Sequence, residues 1–300
     1  MVHKTVLLNE TVDGLRLVPG AIVFDGTLGN GGHTLKICQD FGRQVKVIAT
    51  DRDAEAIARS KARLTGLDCD FTPVLSDYRN IKNVLAEREI EGLDGILLDL
   101  GLSSNQLEES NRGFSFQKDE PLLMTFADVK DTPDVTAQDI VNTWGEETLA
   151  DIIYGFADER YARRIASNIV KARAIKPIKT TGDLVDIIRS SVPASYRHGK
   201  TNCATKTFQA LRIAVNDELG ALDQGLKDGF DSLKVGGRMS IISFHSDEDR
   251  RVKNFYKDRQ KDGTGKIVTK KPITASPEEL KDNPRARSAK LRIIEKIKNI

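Results

Sequence analysis

Four short apolar runs punctuate the first hundred residues at regular intervals: "AIVF" (21–24), "VKVIAT" (45–50), "DFTPVL" (70–75) and "GILLDL" (95–100). Each is too short for a buried helix, and together they are rich in β-branched residues, so each reads as a buried strand. Between them the apolar positions take helical spacing, around Thr34–Gln39, Ala54–Leu64 and Ile81–Glu89. Strand and helix in alternation predict an α/β fold, a parallel sheet with helices on both faces. Ligands in such sheets sit beyond the carboxyl ends of the strands, so the loops after the strands are where chemistry is sought.

The alternation stops near Asn105 and resumes near Thr201. The intervening block carries turn signals and helical patterns, with no run that reads as a strand. "DERYARRIASNIVKAR" (158–173) is amphipathic with basic residues outward, and Thr180-Thr181-Gly182-Asp183 forms a capping box opening "DLVDIIRSS", which Val192-Pro193 ends. Phe208, Leu211, Val215 and Leu219 then recur at helical spacing and predict a core-packed helix over "TFQALRIAVNDEL". Gly236-Gly237 predicts a turn into the strand "RMSIISF", "KLRIIEKIKNI" supplies a last strand, and Gly263–Lys271 reads as an exposed loop or hairpin. The predicted organisation is a discontinuous sheet domain, residues 1–104 and 202–300, interrupted by a helical domain, residues 105–201.

Composition adds compartment and partner. At 39% apolar and 30% charged the chain has the balance of a globular protein, with no run approaching the ~20 apolar residues that span a bilayer. "MVHKTVLLNETV" is too short and acidic for a signal peptide, and Cys38, Cys69 and Cys203 suggest no disulfide framework, so a cytoplasmic setting is expected. The net charge of +2 conceals an asymmetry: residues 250–300 hold 16 Lys/Arg against 6 Asp/Glu, and the rest 30 against 38. A basic tail of that kind is either a footprint for a polyanion or a solvated surface.

The loop after the first strand, "DGTLGNGGH", has four glycines between Asp25 and His33. It lacks the lysine of a triphosphate loop, and glycines at 26, 29, 31 and 32 miss the G-x-G-x-x-G spacing of dinucleotide sites. A cationic ligand such as S-adenosylmethionine suits the acid better than a phosphate does. Asp51, ending the second strand, is placed to accept ribose hydroxyls, although nicotinamide enzymes use the same position. Tyr78 follows the third strand, where a ring faces an adenine or simply packs. Asp99 ends the fourth, where reacting atoms sit, and "DLGLSSNQL" (99–107) follows as the chemical loop. Ser103 and Ser104 have no His–Asp partners in sequence and are assigned to hydrogen bonding of substrate or backbone. In "RGFSF", Arg112, Phe114 and Phe116 either stack on bases or form a loop anchored by two buried phenylalanines. His245 in "SFHSDEDRR" is a substrate-loop histidine, or marks a helix start with Ser246 as cap and Asp249 three residues later; no zinc spacing accompanies it, and no metal is expected.

Taken together, "HKTVLLNETVDGL", "DGTLGNGGH", "DRD", "DGILLDLGLSSNQL", "RGFSF", "TFQALRIAVNDEL", "GGRMSIISFHS" and "NPRARSAKLRI" resemble the bacterial 16S ribosomal RNA cytosine-N4 methyltransferases, in order and over nearly the whole chain. The resemblance implies a class I S-adenosylmethionine-dependent methyltransferase fold, methylation of a cytidine N4 amine in small-subunit ribosomal RNA, and an RNA-recognising helical insert. It places cofactor contacts on Gly31, Gly32, His33, Asp51, Tyr78, Asp99 and Gln106 and leaves a homodimer open; the catalytic acceptor for the amine is read here as Asp99 or a backbone carbonyl of the Leu100–Leu102 loop. Leu123, Thr125, Ala127, Asn202, Cys203 and Asp247 depart from the family pattern, all on the substrate side. Rival readings are an amino methyltransferase for another RNA, DNA or a protein amide, a non-catalytic ribosome-assembly factor, and a nicotinamide oxidoreductase.

Overall fold

The structure, a computed structural model, describes residues 4–127, 135–199 and 201–299; His3 and the side chain of Ser104 lie outside the described set. In chain order the first elements are α1 (Leu8–Leu15), β1 (Ile22–Asp25), α2 (Gly32–Phe41), β2 (Lys46–Asp51), α3 (Ala54–Leu64), β3 (Asp70–Leu75), α4 (Ile81–Ala86) and β4 (Leu93–Asp99). Helices follow: α5 (Ser104–Glu108), α6 (Ala137–Thr143), α7 (Glu146–Ala157), α8 (Ala162–Ile175), α9 (Thr181–Ser191), α10 (Ala194–Arg197) and α11 (Thr205–Asn216). The chain ends with α12 (Glu218–Ser232), β5 (Leu233–Ser243), α13 (Ser246–Lys261), β6 (Gly265–Ile267), α14 (Pro277–Asp282) and β7 (Lys290–Lys296).

The chain divides into two compact units, Met1–Gly101 with Leu219–Ile300, and Leu102–Glu218. The first holds a seven-stranded sheet in the order β3-β2-β1-β4-β5-β7-β6. β1 to β5 pair in parallel, and β7 runs antiparallel to both of its neighbours, so it alone is reversed. That order, with a single reversed strand next to one edge, is the class I methyltransferase sheet. Adjacent strand residues feed opposite core layers, as a two-unit side-chain period demands. Val23, Val47 and Leu97 pack with Val12, Ile37 and Ile57, whereas Phe24, Ile48, Ile96 and Leu98 pack with Leu85, Leu226, Phe230 and Tyr256. Pro73 is tolerated within β3 because that strand is an edge and loses no ladder bond on its free side.

The second unit is built round a helical core of Leu122, Met124, Ile140, Ile153, Ile165, Ile169, Leu184, Ile188, Phe208 and Leu211. The expected capping box forms: Thr180 Oγ1 accepts from the Asp183 N–H at 3.3 Å and Asp183 reaches back to the Thr180 N–H.

Three expectations are corrected. The helix over 205–216 belongs with α6 and α7 in the helical unit, and it stops where Asp217 turns left-handed at φ 47°; its apolar stripe announced burial without saying against what. Gly236-Gly237 does not start a strand but bulges one, the β4–β5 register jumping from Leu93↔Leu233 to Gly95↔Arg238 with Gly236 at φ 89°. Cys38 and Cys69 are joined as a disulfide, their Cα atoms 5.3 Å apart, because β2 and α3 return the chain to the foot of α2; Cys203 is free and buried. Among the described residues no helix is long and apolar enough to cross a membrane.

Candidate active site

The carboxyl ends of β1, β2 and β4 each finish on an aspartate: Asp25, Asp51 and Asp99. The glycine loop is strung between them by its own backbone. Gly26 N–H donates to Leu97 O at 2.9 Å, Leu28 N–H to Thr50 O at 2.9 Å, and Gly29 N–H to Asp51 Oδ2 at 2.7 Å. Asp25 accepts from the Thr27 N–H (3.1 Å) and the Thr34 hydroxyl (2.7 Å), tying the loop to the first turn of α2. Thr27 Oγ1 in turn accepts the Asp99 N–H at 2.6 Å. Gly29 and Gly31 take positive φ of 51° and 72°, which a side chain would oppose. A methyl on Gly32 would overlap the Thr5 side chain, so that glycine is set by packing at its back.

His33 is buried under this loop. Its Nε2 lies 3.2 Å from Val6 O, and since a carbonyl only accepts, that nitrogen carries the hydrogen. Nδ1 faces Asp99 Oδ2, 3.9 Å away. Tyr78 leans on Gly26 and lays its ring against Gly225 of α12, at positions where a Cβ would meet the tyrosine. The side chain is half-buried, one surface held by backbone.

The electrostatics favour a cation. Burial pushes Asp25 up to about 6, with the Asp51 charge adding and the Thr34 and Thr27 hydrogen bonds opposing. Burial likewise raises Asp51 to about 6, against hydrogen bonds from the Asp53 and Gly29 N–H groups. Asp99 rises furthest, to about 8, through burial and then the charges of Asp25 and Glu248. Its side chain is 26% exposed, so it is sunk in a cleft rather than sealed, yet its Oδ1 is buried with no hydrogen-bond partner. No Lys or Arg pairs with any of the three among the described residues.

His245 follows β5, the strand beside β4, and caps α13. The cap lies one residue earlier than the sequence suggests: Glu248, not Asp249, reaches back, its Oε2 accepting the N–H groups of Phe244 (2.9 Å) and His245 (3.3 Å). Asp249 instead pairs with Arg292 at 2.6 Å.

The chain matches the model of the MraW methylase family over residues 1–297. It belongs to that family. Curated relatives named ribosomal RNA small subunit methyltransferase H include those of Acetivibrio thermocellus, 44% identical over 312 residues (98% of this chain, 99% of the relative), and Brevibacillus brevis, 42% identical over 310 residues (98% of each). A third, from Heliobacterium modesticaldum, is 43% identical over 314 residues, 99% of each.

Within this MraW-family methylase, Gly31, Gly32, His33, Asp51, Tyr78, Asp99 and His245 all fall in the sheet unit, the first six on the loops and strand ends just described. Gln106, Ser103, Ser104, Arg112 and Phe114 fall in the helical unit. There Ser103 and Gln106 form a capping box for α5, Gln106 Oε1 accepting the Ser103 N–H at 3.0 Å. Phe114 is a correction to the stacking idea: it is 6% exposed and stacks on Phe126 at 5.7 Å, so its face is not open to a base. Arg112 is likewise occupied, donating to the carbonyls of Phe126 (2.7 Å) and Thr125 (3.2 Å). These bonds, with Asn216 holding Met124 O and Phe126 N–H, all fall on backbone groups of the 124–126 segment. None of them involves the side chains of Leu123, Thr125 or Ala127, where the chain departs from the family pattern. Asn202 caps the Ala204 N–H at 2.9 Å, and Asp247 pairs with Arg250 at 2.6 Å. Sequence reasoning did not single out Thr27, Thr34 or Glu248; their only signal was proximity to Asp25 and His245 along the chain.

Proposed function

We propose that this chain methylates the N4 amine of a cytidine in small-subunit (16S) ribosomal RNA, with S-adenosylmethionine as donor and the RNA presented in a small ribosomal subunit. Full-length similarity to ribosomal RNA small subunit methyltransferases H supports the substrate. The observation that carries the cofactor is the acidic rim: three strand-end carboxyls that no Lys or Arg pairs with among the described residues, one with a buried unpaired oxygen, fit a ligand bearing a sulfonium and an ammonium.

When bound, the cofactor supplies an electrophilic methyl group. Asp51, its oxygens steadied by the Gly29 and Asp53 N–H groups, retains lone pairs for ribose hydroxyls. Tyr78 offers a ring immobilised against Gly225. Asp99 faces the amine: cytosine N4 is a poor nucleophile because its lone pair is delocalised into the ring, and a carboxylate accepting its N–H returns density to nitrogen. Orientation contributes as well, up to about 7–11 kcal/mol in favourable cases. The base must be unpaired or flipped to reach the loops.

The test is to incubate small subunits from a strain lacking the gene with labelled cofactor and map the label by mass spectrometry. Label on N4 of one cytidine is expected. Label on another base or on a ribosomal protein, or none, would reject the reading.

A further inference from the structure

Two buried polar groups at the ends of neighbouring strands have no hydrogen-bond partners. One is Asp99 Oδ1, and the other is the imidazole of His245, neither of whose nitrogens makes a hydrogen bond although the side chain is only 12% exposed. Leaving such groups unpaired in a native fold is costly, so a pair of them at one sheet edge calls for an explanation.

The geometry places them at one locus. Asp99 and Ile242 are register partners on β4 and β5, and the Leu100 N–H donates to Ile242 O at 3.0 Å just beyond them. A Cβ on Gly101 would stand 3.6 Å from the Phe244 ring, so the loops after the two strands touch. Glu248 is buried, locks the Phe244–His245 backbone through its Oε2, and sets its Oε1 3.1 Å from His245 Nε2, out of line for a hydrogen bond. Its charge also reaches Asp99. A carboxylate beside one ring nitrogen holds the hydrogen on that nitrogen and leaves the other to accept a proton.

We propose that His245 is a second catalytic residue of the methyl transfer, the proton acceptor for the amine, and that Glu248 is its positioning residue. The inference rests on the cytidine-N4 reading. As the amine nitrogen bonds to the methyl carbon, the carbon–sulfur bond breaks and leaves its electron pair on sulfur. The proton shed by nitrogen passes to His245 Nδ1, while Nε2–H turns to Glu248 Oε1. Asp99 then keeps the single task of accepting the amine hydrogen bond, and the methylated amine leaves neutral. The dyad divides between two residues a proton transfer and an orientation that one carboxylate would otherwise have to perform.

The experiment uses the full chain, small subunits lacking the modification, and S-adenosylmethionine. His245→Ala is expected to lower single-turnover transfer 10²–10⁴-fold, the range for a lost acid–base group, and added imidazole to restore part of it. His245→Gln, matched in size, should be as slow and recover less. Glu248→Gln, which keeps the backbone acceptor on that side chain, should fall less than His245→Ala, and its residual activity should not respond to imidazole. Independently of turnover, the His245 ring resonance should shift when a cytidine-bearing RNA is added with S-adenosylhomocysteine, and calorimetry should find cofactor binding unchanged in both His245 variants. Near-normal turnover of His245→Ala and His245→Gln, or slow variants that imidazole does not rescue, would overturn the assignment while leaving the cytidine reading intact. A wild-type protein that methylates no cytidine would remove both.

Discussion

His33 Nδ1 lies 3.9 Å from Asp99 Oδ2 while its other nitrogen is held by Val6 O, so one buried ring nitrogen faces a carboxyl that titrates high. The two groups come from the first turn of α2 and the end of β4, far apart in sequence, and no Lys or Arg pairs with Asp99 among the described residues. The site is organised to receive charge rather than to balance its own.

Cofactor affinity should therefore depend on pH. Asp99 at about 8 and Asp25 and Asp51 at about 6 are partly protonated in the free protein, and a bound cation favours their ionised forms. Affinity should climb between pH 6 and 8 and then level, with net proton release on binding. Calorimetry at pH 7 in two buffers of different ionisation enthalpy checks this; equal apparent enthalpies would refute it.

Stability of the free protein should run the other way. A carboxyl whose folded value lies above the unfolded 3.8 holds its proton more tightly when folded. Its contribution is present at low pH and is lost as pH rises through about 6 for Asp25 and Asp51 and about 8 for Asp99. Asp99→Asn should remove the upper part of that loss and raise Tm at pH 8.5, of order 2–4 °C, while abolishing methyl transfer. A variant that melts as the wild type does at that pH, or that turns over normally with cofactor bound, counts against the role given to Asp99.

Asp25→Ala should do more than remove a charge. It strands the buried Thr34 hydroxyl and frees the Thr27 N–H that aligns the loop with Asp99. Urea unfolding should show a loss of about 1–3 kcal/mol, and cofactor affinity should fall alongside it.

Gly225→Ala tests the Tyr78 wall. The added methyl must displace the tyrosine ring, an overpacking expected to cost about 1–3 kcal/mol. Cofactor affinity should drop with it, and the double variant Gly225→Ala, Tyr78→Ala should recover the stability but not the affinity.

The Cys38–Cys69 disulfide spans 31 residues of sequence and encloses β2 and α3. A loop of that length restricts the unfolded chain by about 3–4 kcal/mol. Reductant should lower the Tm of the wild type but not of Cys38→Ser, and intact-mass analysis after alkylation should find one free thiol, that of Cys203, before reduction.

Much was legible along the chain because its causes are local. β-branched runs mark β1 to β4, a Thr–Asp pair three apart marks the start of α9, and aspartates at the strand ends announce where a ligand sits, since a parallel sheet always presents that edge. Sequence alone thus determined the sheet, its functional edge and the acidic character of the site, and with the full set of motifs it pointed to the family. Tertiary structure decided the rest. It assigned the apolar stripe of 205–216 to the helical unit, sank Phe114 into a core, moved the α13 cap from Ser246 to His245, closed Cys38 onto Cys69, and set Glu248 beside His245. Periodicity and capping report a residue's own turn of chain, whereas partner choice depends on atoms distant in sequence, and only packing brings those together.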